Sequence, residues 1–413
     1  MKNLNYLFLF FSILAAVTLA SFIFSKYTFF EFRYKLADSN LEVREPKIIT
    51  NKPTVNFCNE KTIFTDERDK EFCFRGPYLI KERGLEIDLS RKKAILYDEG
   101  KIKKILNLSY QSPENVWFQS PTGLFKIRTK EKLHWSTIGL VWMPYSMQYY
   151  EDFFLHGIPY RDNGEIITST VSGGCLRFQN EIAKEIYDFV KINDPVLVFA
   201  SYDKLTPKDE FSTPLNQEES FIYQKFYNPK RIAFYFSGDR QNLKYDYYNH
   251  TGVDFKLKLG ATDRNVYAIK EGEVVKIIKL GEEEDYGMGN TIIIKNQIDN
   301  KTLYSLYAHL SKVREDLKEG DKIKKGEVIG EIGSSGFGCK NYWRLGKNGC
   351  ESQDEIDEHL HLEIKEKPVL YNPNGGKICF NKKNESDFCY RYAPDPLFKK
   401  GYYNPLEIIF QKS

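Results

Sequence analysis

Glu86-Ile87-Asp88-Leu89, a polar break at Ser90–Lys93, Ala94-Ile95-Leu96-Tyr97, a second break at Asp98-Glu99-Gly100 and the run Ile102–Leu108 set the fold class of this 413-residue chain. Short runs of alternating character, separated by turn-forming residues, put successive side chains on opposite faces of a sheet and predict antiparallel β-structure. Ser120-Pro121-Thr122-Gly123 marks a further turn, ahead of Phe125-Lys126-Ile127. One helix interrupts the pattern. Asn180 suits its N-cap, and the helix should run from Glu181 to about Lys191 with Ala183, Ile186, Tyr187 and Val190 on one face. Asp194-Pro195 stops it, and Val196–Ala200 reads as a closing strand.

Downstream, residues 201–240 are turn-rich, with Pro207, Pro214 and Pro229, and read as a connector. From His250 a second β-rich block begins: Val266–Ile269, Glu273–Leu280, Thr291–Lys295, Thr302–His309 and Glu327–Ile332 are short runs separated by Gly-containing turns. No internal repeat or low-complexity tract is visible. The expected fold is mainly β, with two β-rich domains, the first carrying a short helix. The expected divisions are an N-terminal segment 1–30, a connector 31–82, a first domain 83–200, a linker 201–240 and a second domain 241–413.

Two features agree on the compartment. Leu7 to Phe24 is almost wholly apolar and flanked by Lys2 and Lys26, long enough to span a bilayer as an uncleaved anchor. Thr18-Leu19-Ala20 leaves cleavage of a signal peptide open. Either way the remainder is exported. Of seven cysteines, six fall into close pairs, Cys58/Cys73, Cys339/Cys350 and Cys379/Cys389, and Cys175 stands alone. Neighbour pairing is one of several connectivities that six cysteines allow, and such disulfides persist in an oxidising compartment. The formal net charge of +3, with no long basic block, gives no electrostatic footprint for nucleic acid. The 28 tyrosines and 30 phenylalanines suit strand-rich domains and grooves that take extended polymers. Nothing in the sequence sets the oligomeric state.

Ser172-Gly173-Gly174-Cys175-Leu176-Arg177 holds the odd cysteine. Glycines beside a thiol let the backbone approach a substrate and turn N–H groups toward a developing oxyanion, which suits an acyl-transfer nucleophile. His156-Gly157 supplies a candidate base; His134 reads as a surface or core histidine. The other reading of a lone cysteine is a buried structural one.

Residues 84 to 200 resemble the L,D-transpeptidase catalytic domain, the YkuD-like fold. The matching pieces are Ile87-Asp88-Leu89, Ser120 to Ile127, Met143-Pro144-Tyr145, Phe154-Leu155-His156-Gly157 and Ser172 to Arg177, in that order. The resemblance implies that Cys175 attacks the carbonyl of the third residue of a peptidoglycan stem peptide and that His156 takes the thiol proton. It further implies that the N–H groups of Gly174 and Cys175 form the oxyanion hole and that Arg177 meets a stem carboxylate or a scaffold partner, while Ser172 shapes the loop. An amine or water then resolves the thioester. Many relatives carry a histidine two residues before the cysteine; Gly173 stands there in this chain, which puts the weight on His156.

His250-Thr251-Gly252-Val253-Asp254 and His359-Leu360-His361 form a second constellation. Residues two apart on a strand share a face, so His359 and His361 can enter one groove. Two imidazoles and one carboxylate make a three-ligand set that leaves a position open, as a catalytic zinc requires. His309, in Leu306-Tyr307-Ala308-His309-Leu310, is a further candidate. These motifs resemble lysostaphin-like (LytM-type) peptidoglycan endopeptidases from about His250 to Lys365. The resemblance includes Gly320 to Gly326, Ile329-Gly330 and Ile332 to Gly336. It implies that His250, Asp254 and His361 bind one Zn2+ and that His309 and His359 act on water and transition state. A loop from Phe337 to Glu358, apparently stapled by Cys339 and Cys350, enters directly into His359 and is expected to form one wall of the groove. Together the two resemblances imply a membrane-tethered, bifunctional cell-wall enzyme of the bacterial envelope, secreted instead if the N-terminal segment is cleaved. Two hydrolytic domains, or a wall-binding activator with idle sites, are the alternatives.

Overall fold

The computed structural model describes residues 63–65, 71–73, 78–111, 119–168, 172–234, 244–280, 288–336, 357–369, 392–394 and 397–411. All of them belong to one compact unit, Lys47–Ser413. The apolar N-terminal segment lies outside the described residues. Among the described residues no helix is long and apolar enough to cross a membrane. The protein is mainly β, as the alternation predicts.

The three expected disulfides, Cys58–Cys73, Cys339–Cys350 and Cys379–Cys389, are not borne on by the structure. Cys58, Cys339, Cys350, Cys379 and Cys389 lie outside the described residues. Cys73 is described in its backbone alone, at the end of strand Glu71–Cys73, where it stands opposite Ile63 of the strand Ile63–Thr65. The pairings therefore rest on sequence spacing only. Cys175 is a free thiol, as the odd cysteine was expected to be.

The first domain is two sheets and a helix. A five-stranded sheet runs Lys101–Asn107, Lys93–Asp98, Gly84–Asp88, Pro195–Phe199, Gly123–Lys126. A four-stranded sheet runs Leu176–Arg177, Phe153–His156, Val141–Tyr150, Thr129–Ser136. Their facing sides close a core around Leu85, Ile87, Leu96, Tyr149, Leu155, Phe178 and Val198. The helix, Asn180–Phe189, packs Ala183 and Ile186 into the same core. Its N-cap is Gln179 and not Asn180. Asn180 instead turns its side-chain carbonyl to the N–H of Ile158, 2.8 Å away, so it anchors the loop that follows His156.

Strand Pro195–Phe199 is apolar on both faces, and the reason lies in its surroundings. Val196 and Val198 enter the first core, while Leu197 and Phe199 face Tyr78, Phe221 and Tyr223. Phe221 and Tyr223 belong to Ser220–Gln224, within the segment expected to be a linker. That segment is not a free connector. It is the edge strand of the second domain's large sheet, antiparallel to Val253–Leu257, and it bridges back to the first domain through Ala200 and Ile222. Phe221, Ile222 and Tyr223 in succession among prolines carry no clean two-residue period, which is why the sequence reads there as irregular.

In the second domain the large sheet runs Ser220–Gln224, Val253–Leu257, Leu360–Lys365, Lys301–Leu310, Asn290–Ile298, Gly272–Ile278, Lys322–Ile323, with Tyr402–Tyr403 paired to Leu360–Lys365. Leu360–Lys365 is thus central, buried along its whole length. In register, His361 stands between Asp254 on one side and Ala308 on the other. Two three-stranded sheets flank it, one containing Lys244–His250 and the other Val328–Glu331.

Candidate active sites

The first site forms where Leu176–Arg177 lies parallel to Phe153–His156, Leu176 opposite Leu155 and Arg177 opposite His156. On its other edge Arg177 exchanges backbone hydrogen bonds with Tyr110. Cys175 therefore enters beside Phe154. Its Sγ accepts from the Phe154 N–H at 3.4 Å and points its own proton toward the Asp152 carbonyl at 3.9 Å. The imidazole of His156 is buried, and its Nδ1 donates to the Gly157 carbonyl at 2.6 Å. A carbonyl only accepts, so Nδ1 carries the proton and Nε2 is the basic nitrogen. His134 stacks on Phe154, ring centroids 4.8 Å apart, and its Nδ1 lies 3.0 Å from Glu131.

Burial governs the electrostatics here. It pushes the Cys175 thiol up to about 11, against the smaller opposing pull of the Phe154 N–H and Arg177. It pulls His156 down to about 3, although the Gly157 carbonyl favours the charged ring. Both groups therefore rest neutral at pH 7, as thiol and imidazole.

Loop geometry is fixed by Ser172, whose hydroxyl donates to the Cys175 carbonyl at 2.9 Å and accepts from Gly174 N–H at 3.3 Å. The Gly174 N–H expected in the oxyanion hole is thus committed to Ser172. Among the described residues no partner takes up the Cys175 N–H. Gly174 has φ +101°, and a Cβ there would lie 2.3 Å from the Phe153 ring, so only glycine fits. A Cβ at Gly173 meets nothing within 4 Å.

At the second site three atoms make a small triangle. His250 Nε2 and His361 Nδ1 are 3.1 Å apart, His250 Nε2 and Asp254 Oδ1 3.2 Å, and His361 Nδ1 and Asp254 Oδ1 2.7 Å. Zinc bonds of about 2.0–2.1 Å at tetrahedral angles place ligand atoms about 3.3 Å apart. The buried Asp254 Oδ2 has no hydrogen-bond partner, an orphan that a cation would satisfy. The three side chains are fully buried. Gly252 permits this closeness: a Cβ there would meet the Leu362 carbonyl at 2.4 Å and His361 Cε1 at 2.8 Å.

Each of the four histidines has one ring nitrogen tied to an oxygen acceptor. His250 Nδ1 donates to the Lys225 carbonyl at 3.0 Å and His361 Nε2 to Glu363 Oε1 at 3.2 Å. His309 Nδ1 donates to the Ser335 carbonyl at 2.8 Å and His359 Nδ1 to the Asp357 carbonyl at 2.6 Å. In neutral rings the opposite nitrogens are therefore lone pairs. Two serve the triangle, and the other two belong to rings whose centroids are 4.6 Å apart. His359 Nε2 lies 3.8 Å from Asp254 Oδ2. His309 has φ +62°, a left-handed conformation uncommon for its residue type and characteristic of functional positions.

Charge balance follows the same plan. Burial disfavours the Asp254 carboxylate, but His250 and His359 more than offset it and hold Asp254 well below the usual carboxylate range. Burial opposes protonation of His361, and Asp254 and Glu363 raise its pKa regardless. Glu363, despite burial, is brought down to about 2 by Lys365 and His361. Its other contacts are the Lys365 ammonium at 2.6 Å and the Thr251 hydroxyl at 2.5 Å. The loop wall expected before His359 falls largely outside the described residues. Its last two residues are anchored by Lys256–Asp357 at 2.6 Å and Arg264–Glu358 at 2.7 Å.

Every residue proposed from sequence for the metal triangle is brought together, with His309 and His359 alongside. Glu363, Lys365 and the Lys225 carbonyl were missed. Residues 82–198 match the family model of the L,D-transpeptidase catalytic domain, and residues 248–373 that of peptidase family M23. The chain carries an L,D-transpeptidase-like domain followed by an M23-like domain. Over 90 residues it is 39% identical to glycyl-glycine endopeptidase ALE-1 of Staphylococcus capitis, covering 22% of each chain. Over 89 residues it is 39% identical to lysostaphin of Staphylococcus simulans, covering 21% of this chain and 16% of that one. The crystal structure of an L,D-transpeptidase from Stackebrandtia nassauensis shares 22% identity and a TM-score of 0.26, over 30% of this chain and 59% of that one. This chain thus spans about a fifth of the length of those curated relatives. The M23-like domain holds a possible His-Asp-His metal site, and M23 proteins are zinc metallopeptidases.

Proposed function

We propose that this chain remodels peptidoglycan at two centres: a cysteine acyl-transferase acting at the third stem residue, and a zinc endopeptidase cutting stem or cross-bridge peptides. The observation that carries the reading is the M23-like triangle, where Asp254 Oδ1 and two tautomer-fixed imidazoles converge while the second oxygen of the same buried carboxylate has no hydrogen-bond partner. His250, Asp254 and His361 would hold Zn2+, which when bound would supply Lewis acidity to the scissile carbonyl and lower the pKa of water to about 7. His309 and His359 each keep a lone pair for the proton that water gives up and return it to the leaving amine. Buried walls exclude bulk water and strengthen these interactions.

In the L,D-transpeptidase-like domain, Cys175 Sγ forms a bond to the stem carbonyl carbon as its proton passes to His156 Nε2. The C–N bond to the terminal D-amino acid then breaks, the amine taking that proton, and a thioester remains. Because both groups rest neutral, the thiol loses its proton in concert with attack. The Cys175 N–H is the donor available to the oxyanion. An acceptor amine yields a cross-link, and water yields a trimmed stem. The apolar N-terminal segment holds both centres outside the cytoplasm, at the membrane.

Muropeptide profiling of sacculi treated with the wild type, Cys175→Ala and His361→Ala tests the reading. Loss of third-residue products in the first variant and of endopeptidase products in the second is the expected result. Unchanged profiles in either variant would remove that centre from the mechanism.

A further inference from the structure

The zinc ligand His250 is held from three directions by one turn, Lys225–Asn228. The Lys225 carbonyl accepts from its ring, the Asn228 carbonyl accepts from its N–H at 3.0 Å, and the Tyr227 N–H donates to its carbonyl at 3.0 Å. Ring and backbone are thereby both fixed. Tyr227 sits at φ +66°, so the turn itself is strained and needs support.

That support comes from the other domain. Thr122, fully buried in the turn Ser120–Gly123, accepts the Lys225 N–H on Oγ1 at 3.0 Å. The Asn228 side chain grips the Thr122 backbone on both sides: Oδ1 accepts from the Thr122 N–H at 2.7 Å, and Nδ2 donates to the Thr122 carbonyl at 2.9 Å. Thr122 Oγ1 also donates to Asn228 Oδ1 at 3.3 Å. The clasp is buried, with Lys225 8% and Asn228 6% exposed, so water does not replace a lost partner cheaply.

We infer that Thr122 and Asn228 are positioning residues for the zinc ligand His250, so that the M23-like metal site is completed by the L,D-transpeptidase-like domain. The inference rests on the metal reading above. Orienting partners one step behind a metal ligand commonly carry 10- to 100-fold in metal affinity, and here that partner is a peptide carbonyl whose own position is set across the domain boundary. The residue just before that turn borders the cysteine site: the Gln119 carbonyl lies 3.1 Å from where a Gly174 Cβ would stand. The segment Gln119–Thr122 of the first domain therefore borders the cysteine loop at one end and grips the turn that holds His250 at the other.

The test is zinc affinity of the full chain by competition with a chromogenic chelator, alongside melting of the zinc-free protein. Thr122→Val keeps the shape and loses both hydroxyl bonds; Thr122→Ser keeps them. Expected are an apparent zinc Kd raised about tenfold or more in Thr122→Val and in Asn228→Ala, and near wild-type affinity in Thr122→Ser. Asn228→Ala carries the test if Thr122→Val does not fold. A role confined to domain docking would lower the melting temperature of the zinc-free chain and leave the Kd alone, and that outcome overturns the inference. Wild-type protein that fails to bind zinc overturns the metal reading itself, which separates the two failures.

Discussion

Glu363 accepts the Nε2 proton of His361 at 3.2 Å, on the side of the ring away from Asp254. The carboxylate holds His361 in the tautomer that presents Nδ1 to the metal triangle, and Lys365 and Thr251 hold Glu363. Glu363→Gln should weaken zinc binding about 10- to 100-fold, because a neutral amide oxygen accepts that proton more weakly than a carboxylate, its NH2 can turn into the oxygen's place, and Lys365 is left buried without its counter-charge. Chelator competition measures it. A Kd within twofold of wild type would show that the carboxylate does not orient the ring.

Zinc binding should also weaken with acid earlier than for an ordinary histidine site. His361 has a raised pKa in the metal-free protein, so a proton competes with the ion at a pH above the usual histidine range. Affinity should be greatest on the alkaline side and fall progressively as the pH drops through the raised titration range of His361. Isothermal titration across that range, with correction for buffer protonation, reads both the fall and the proton released. An affinity flat down to pH 6 contradicts the assignment.

At the cysteine centre the thiol is raised and the imidazole depressed. Thiolate at pH 7 should be about a hundredfold scarcer than for a cysteine at its ordinary pKa. Alkylation of the Cys175 peptide by iodoacetamide, followed by mass spectrometry, should therefore be slow at pH 7. It should climb about tenfold per pH unit without levelling off before pH 10. A plateau by pH 7 to 8 would reveal a preformed thiolate–imidazolium pair.

Two adjacent glycines make a controlled contrast. Gly174→Ala places a methyl group on the Phe153 ring in a backbone conformation with positive φ. A cost of about 2–4 kcal/mol and loss of activity follow. Gly173→Ala finds open space and should stay within about 0.5 kcal/mol of wild type. Urea unfolding of the two variants checks the pair, and equal destabilisation would mean the loop repacks.

How far the sequence carried the site depends on which contacts are local in pattern. The two-residue period that joined His359 to His361 continues to Glu363 and Lys365, so that chain of charges was legible and simply not followed far enough. Asp254 and His361 were paired by motif, and their strands prove to be neighbours. The Lys225 carbonyl carries no side-chain signal, and Thr122 is separated from Asn228 by about a hundred residues, so neither leaves a mark in any local pattern. Asn180 was expected as the helix N-cap, but Gln179 takes that place and the Asn180 side-chain carbonyl accepts from the N–H of Ile158 in a nearby loop instead. The strand Ser220–Gln224 was hidden because it is apolar on both faces, one toward each domain.

That double burial makes the last prediction. Phe221 is fully buried, its ring centroid 5.3 Å from that of Tyr78 and 5.4 Å from that of Phe199, while its strand is hydrogen-bonded into the sheet that carries Asp254. Truncating such a ring costs about 3–5 kcal/mol, and here both domains lose the contact at once. Calorimetry of the wild type should show the two domains unfolding in one transition. Phe221→Ala should lower that transition or split it in two. Two independent transitions in the wild type, only one of them moved by the substitution, would mean that the domains fold without each other and that the shared strand belongs energetically to one.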